Sequence, residues 1–283
     1  SFYEQNQRIH HINLFISVIS ILDYLCMVKY LYLFILPLLW SCKEKATDHN
    51  PLEPNPQELP TKGTQSLENY VNRIVRAKLN IQASENFELK IYRAQLDPDG
   101  IEDAIITVNR LDFAQKESMA SPNPAKRAEL GFMGNFNYFF FFDGKLDMLS
   151  PPIAIPSSPL LPLQVTFENI SSTKYKDILI DFRIRNASYK DFYTVHNHSP
   201  RRIFQFKNFD GLGTPNTEAY HFVYGAGSYG PQKNIFVMEA QLGALPSGED
   251  KNTFVPQIKP LEKIKYTFFY LESEAKYATK DAQ

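Results

Sequence analysis

FNYFFFFDGKLDML, residues 136–149, decides the fold class. Four phenylalanines in succession, Phe139–Phe142, make a short apolar run that stops at Asp143-Gly144. A run this short, closed by a turn signal, reads as a strand buried on both faces. An exposed aromatic binding strip is the alternative reading. Asp-Gly favours the tight reversal of a β-hairpin, because glycine takes positive φ without a steric cost. KLDML then becomes the returning strand.

The same alternating or β-branched grammar extends in both directions. Runs at 87–93, 103–109, 163–168, 177–184, 202–207, 219–224, 234–241 and 264–271 are separated by Gly, Pro, Asn and Asp turns. They predict a mainly β domain over 86–275, built as a β-sandwich or as partial propeller-like sheets. One N-terminal amphipathic helix precedes it. Leu67, Tyr70, Val71, Ile74, Val75 and Leu79 recur at three- and four-residue steps, and Ser66 stands where an N-cap belongs. The spacing predicts a helix over 66–79 and a single folded domain over 66–283.

Composition bounds the function. The chain has 283 residues and is 43% apolar and 14% aromatic, enough for a sizeable core. Thirty basic residues face 31 acidic ones, a formal net charge of −1. No basic face is clustered, so nucleic acid is not an expected partner. Two cysteines, Cys26 and Cys42, supply no disulfide framework.

MVKYLYLFILPLLWSCKEK, residues 27–45, bears on location. Lys29 gives a short positive start, Tyr30–Leu39 is apolar, and the chain turns polar at Lys43. Ten helical residues reach about 15 Å, roughly half a bilayer's hydrocarbon core. The run is therefore short for a span and well sized for a signal-peptide core. Its end, Leu39-Trp40-Ser41-Cys42, resembles the lipobox of bacterial lipoproteins; Leu39, Ser41 and Cys42 match, and Trp40 is larger than the family usually holds. The resemblance implies cleavage before Cys42 and lipidation of that cysteine, with the domain outside the cytoplasm and anchored to a membrane, the outer membrane by preference. The alternative is an uncleaved anchor helix. Residues 1–26 read as sequence lying upstream of a start at Met27, and 27–41 as the signal peptide. Residues 42–65, with Pro51, Pro54, Pro56 and Pro60, read as a flexible tether. Lipobox, aromatic content and Asn-rich style together resemble lipoproteins of the Bacteroidota.

QLDPDGIEDAIITV, residues 95–108, is the motif closest to chemistry. Oxygen-bearing side chains at alternate positions around a glycine suit a hard cation. The stretch resembles the acidic loop of FG-GAP and VCBS-type repeats. That resemblance implies a Ca²⁺ site built from Gln95, Asp97, Asp99, the Ile101 carbonyl and Asp103, with Gln95 in place of the family's first Asp. The plain alternative is an acidic turn without an ion. FENISSTKYKDILIDFRI, residues 167–184, repeats the outline, with Asp177 at the place of Asp103 but without the other carboxylates.

Other motifs carry less. GAGSYG, residues 225–230, spells a dinucleotide loop, but Pro231 and a strand-like run follow it, so it reads as a glycine-rich hairpin loop. His196 and His198, with His221, could make a zinc site, although Asn197, Ser199 and Pro200 suggest a loop there. Asn169, Asn186 and Asn197 each begin an N-x-S sequon. No carboxylate pair stands out as acid and base. The expected function is a non-catalytic binding or scaffold module of the envelope, stabilised by calcium where the acidic loop holds the ion, with an envelope protein or a glycan as partner. The competing expectations are an extracytoplasmic hydrolase acting on glycans or peptides and an envelope assembly factor.

Overall fold

The predicted helix is α1, Leu67–Lys78. The Ser66 hydroxyl caps it by accepting from the Asn69 amide, Glu68 lies in the first turn, and Arg76 and Lys78 lie in the last. These charges complement the helix dipole. Asn80, at φ 50°, turns the chain away just past its end. The apolar stripe Leu67, Tyr70, Val71, Ile74 and Val75 packs on Ala104, Ile106, Val108, Phe140 and Phe142. The Tyr70 hydroxyl accepts from the Leu149 amide at 3.2 Å, tying helix to sheet.

That sheet has five strands: β1 (Glu88–Ala94), β2 (Asp103–Asn109), β3 (Asn137–Asp143), β4 (Met148–Leu149) and β5 (Ile153–Ala154). They run in the order β1-β2-β3-β4, with β5 also paired to β3. The phenylalanine run is the middle of β3, and both of its faces are buried. Phe140 and Phe142 meet α1, while Phe139 and Phe141 face a second core with Ile178, Ile180 and Phe182. Burying each ring contributes about 1.5–3 kcal/mol over leaving it exposed.

The second sheet is an antiparallel meander of eight strands: β6 (Gln164–Glu168), β7 (Asp177–Ile184), β8 (Ala187–His196), β9 (Ser199–Asp210), β10 (Glu218–Gly225), β11 (Asn234–Leu242), β12 (Ile258–Leu271) and β13 (Lys276–Ala278). One face of β7 and β8 packs on the first sheet through Ile178, Ile180, Tyr193 and Val195. The opposite face is lined by Leu179, Phe192, Phe204, Tyr220 and Phe268. The sheet curls over that aromatic face, so Tyr277 on the last strand reaches Phe204 on β9, ring centres 6.0 Å apart. Register shifts in the β8–β9 and β11–β12 pairings supply local bends.

A computed structural model of the chain describes residues 61–130 and 132–280, all within the unit Gln57–Gln283. The upstream segment 1–26, the signal segment 27–41, Cys42 and most of the tether lie outside the described residues. The last tether residues are already fixed to the domain. The Lys62 amide donates to the Asp147 carbonyl at 2.9 Å, and the Gly63 amide to its carboxylate at 2.7 Å.

The fold is mainly β, and three differences from the sequence reading stand out. β8 was not expected as a strand. Two more helices, α2 (Leu111–Ala120) and α3 (Pro124–Glu129), sit between β2 and β3. The Asp143-Gly144 turn is longer than a two-residue reversal, returning to the sheet only at Met148 after Asp147 takes φ 56°.

Candidate functional site

The curled face of the eight-stranded sheet holds a groove of about 760 Å³. Strand periodicity places its lining. Gln164, Thr166 and Glu168 come from one side of β6, and Asp181 and Arg183 from β7. Lys190 comes from β8, Asn208 from β9, and Tyr220, Phe222 and Tyr224 from alternate positions of β10. Val255, Pro256 and Ile258 close one wall.

Its polar groups are organised around one carboxylate. Lys190 Nζ reaches Asp181 Oδ2 at 2.6 Å, and Asn208 Nδ2 donates to Asp181 Oδ1 at 2.7 Å. Asn208 also donates to Ser188 Oγ at 3.1 Å. Charge-assisted bonds of this kind hold side chains in fixed positions. Beside them, burial pushes the Tyr224 hydroxyl above its ordinary value, and Glu168 and Asp181 add to the effect. The Tyr220 hydroxyl is pushed up to about 12 by burial, then by Glu218, to which it donates.

Arg183 braces the wall. It is buried, and it donates to the carbonyls of Phe254 at 2.9 Å and Lys251 at 2.8 Å. Its guanidinium lies over the Phe209 ring at 4.8 Å. Desolvation lowers its pKa to about 10. The segment leading into Val255 and Pro256 is therefore pinned to β7.

A second candidate site surrounds the acidic loop between β1 and β2. Asp103 is 1% exposed; it accepts from the Leu96 amide through Oδ2 and the Gly144 amide through Oδ1, both at 3.0 Å. Burial raises its pKa to about 6 despite those bonds. Asp177, the residue at the corresponding place in the second outline, does the same work. It is fully buried and accepts from the Ile170 amide at 3.1 Å and from the Ser171 amide. In both hairpins the carboxylate reaches the amide seven residues upstream, which belongs to a buried aliphatic residue. The likeness of the two stretches is thus a shared loop clamp.

The structure divides the expected calcium ligands. Asp97 Oδ1 accepts from the Asp99 amide at 2.9 Å, and Asp99 Oδ1 from the Ile101 amide at 2.7 Å, around Gly100 at φ +83°. The Gln95 carbonyl accepts from the Lys176 amide at 3.0 Å. The Ile101 side chain is 43% exposed, and Asp103 is occupied by its clamp. Asp97 instead approaches Asp143, at the end of β3, and His198, in the β8–β9 turn. One ligand atom from each of these three lies within 4.8 Å of the others. Asp143 Oδ2 stands 2.7 Å from His198 Nδ1. His198 is aimed there by a two-residue turn, with Asn197 at φ 48° and His198 at φ 60°. Of the loop expected around Asn197, Ser199 and Pro200, only the turn Asn197-His198 is present, since Ser199 and Pro200 open β9; His198 meets carboxylates rather than His196 and His221.

GAGSYG is the loop joining β10 and β11, and its backbone folds so tightly that a Cβ on Gly227 would stand 2.0 Å from the Gln232 carbonyl oxygen. Among the described residues no helix is long and apolar enough to cross a membrane. Compared with protein-family models, curated proteins and solved structures, the chain matches none.

Proposed function

We propose that this chain is a non-catalytic binding module of the bacterial envelope that holds a small saccharide in the groove of its eight-stranded sheet. The observation that carries this reading is the pairing of rings and polar groups in one concavity. Tyr220, Phe222 and Tyr224 offer aromatic faces beside the fixed donors and acceptors of Asp181, Lys190 and Asn208. A sugar ring has the same two-sided character, with an apolar C–H face and hydroxyls at its edge. The volume of 760 Å³ suits a small ligand, since such sites run about 300–1,000 Å³. Asp181 is engaged by two partners, which favours holding a ligand over transferring a proton.

Lipid on Cys42 would anchor the module, and the segment after it would carry the domain clear of the headgroups. Leu39, Ser41 and Cys42 support that placement. A glycan array probed with the purified protein tests the reading. Binding is expected for a defined set of saccharides, to be lost in Asn208→Ala and retained in Lys263→Ala, which alters an exposed residue on β12 away from the groove lining. An array without binding, or binding that ignores Asn208→Ala, would refute it.

A further inference from the structure

We infer that Asp97, Asp143 and His198 form a site for one divalent transition cation of the zinc class, joining the two sheets. The three side chains come from separate segments: the β1–β2 loop, the end of β3, and the β8–β9 turn. Their ligand atoms already lie within 4.8 Å of one another. Ligands at about 2.0–2.2 Å from a common tetrahedral ion stand roughly 3.3–3.6 Å apart, so the wider gaps would close and the 2.7 Å Asp143–His198 contact would part to admit the ion.

The His198–Asp143 hydrogen bond alone explains two of these residues. It does not explain Asp97, which is 6% exposed and turned toward another buried carboxylate. Nor does it explain Asp99. The Asp99 carboxyl lies against that of Asp97, and its Oδ2 is sealed from solvent with no hydrogen-bond partner among the described residues. Buried polar atoms are nearly always satisfied, so this oxygen is an acceptor that a cation bound beside Asp97, or a water on that cation, would engage.

The imidazole selects the metal. Calcium prefers six to eight hard oxygens, whereas a mixed imidazole and carboxylate set suits zinc and its neighbours. The assignment therefore differs from the calcium set expected from the acidic loop alone. Asp97 is common to both, while the Gln95 side chain is exposed and Asp103 is engaged by its clamp. His198 is half-exposed, so a coordinated ion would keep an open side for water.

The test uses the full chain, stripped with chelator and dialysed, then titrated separately with Zn²⁺, Ca²⁺ and Mg²⁺. Metal content per chain and thermal midpoint are both read. One equivalent of zinc should bind and raise the midpoint, and a hundredfold excess of calcium should not displace it. His198→Gly removes the ligand while suiting the left-handed turn, and it should weaken zinc binding at least tenfold with the metal-free midpoint little changed. Asp97→Asn should weaken it similarly. Absence of stoichiometric zinc, zinc affinity unchanged in His198→Gly, or calcium binding that survives in that variant would each overturn the assignment.

Discussion

Replacing Asp177 with alanine should unfold the second loop clamp at a measurable cost. The carboxylate is fully buried and accepts from the Ile170 and Ser171 amides and from the Ser171 hydroxyl. Alanine leaves both amides without an acceptor. An abandoned buried donor costs about 1–3 kcal/mol, so the two together threaten roughly 2–6 kcal/mol. Part of this is returned, because burial raises the carboxyl's pKa and its charge is therefore held at a cost in the folded state. A net loss of about 2–4 kcal/mol at neutral pH follows from those terms. For a domain of this size it corresponds to a midpoint lower by about 5–15 °C. Asp177→Asn keeps one acceptor and sheds the charge, so it should lose clearly less. Thermal unfolding followed by circular dichroism at pH 7 measures both. An Asp177→Ala midpoint within about 2 °C of the parent would mean that the amides find other partners and that the clamp is incidental.

Three further outcomes are expected. Glu85 and Arg110 form a two-pronged buried pair at 2.7 and 2.8 Å, so Glu85→Ala should cost about 3–5 kcal/mol in chemical unfolding, and Glu85→Ala with Arg110→Met clearly less. Asp103 titrates near 6 in the fold, above an unfolded value of about 3.9, so the folded state holds its proton more tightly. Its contribution is full below about pH 4 and lost as the pH rises through about 6, and Asp103→Asn should flatten that stretch of a stability profile of metal-free protein. Cys42→Ala should abolish labelling with radioactive palmitate and release the protein from the membrane fraction; labelling that persists would refute the anchor.

The parts that sequence conveyed were those governed by one local signal. Phe139–Phe142 are buried on both faces, as the short apolar run before a turn signal favoured, and the α1 stripe follows a helical period with its cap in place. β8 was hidden because ASYKDFYTVH mixes Lys190 and Asp191 among its aromatics; Lys190 pairs with Asp181 across the strand boundary, a partner supplied only by tertiary structure. α2 buries only Ala114 and Ser118, so it has little apolar stripe to detect. The first half of β12 carries Lys259, Pro260, Glu262 and Lys263, a composition that looks like loop. Asp97 and Asp99 were visible as a pattern and His198 as a metal candidate grouped with His196 and His221, but Asp143 resembled an ordinary turn residue. Their meeting depends on how two hairpins from different sheets pack. The groove escaped notice for the same reason: Asp181, Lys190 and Asn208 occupy routine strand positions on three strands.

The most direct test of the binding reading is an amide-resolved NMR titration of the isotopically labelled protein with envelope saccharides. The account predicts saturable shifts concentrated in β6–β10 around Thr166, Asp181, Lys190, Asn208 and Tyr224, with the α1 face undisturbed. Saturable shifts centred on any other surface, or a groove whose amides stay unmoved across the saccharides, would contradict it.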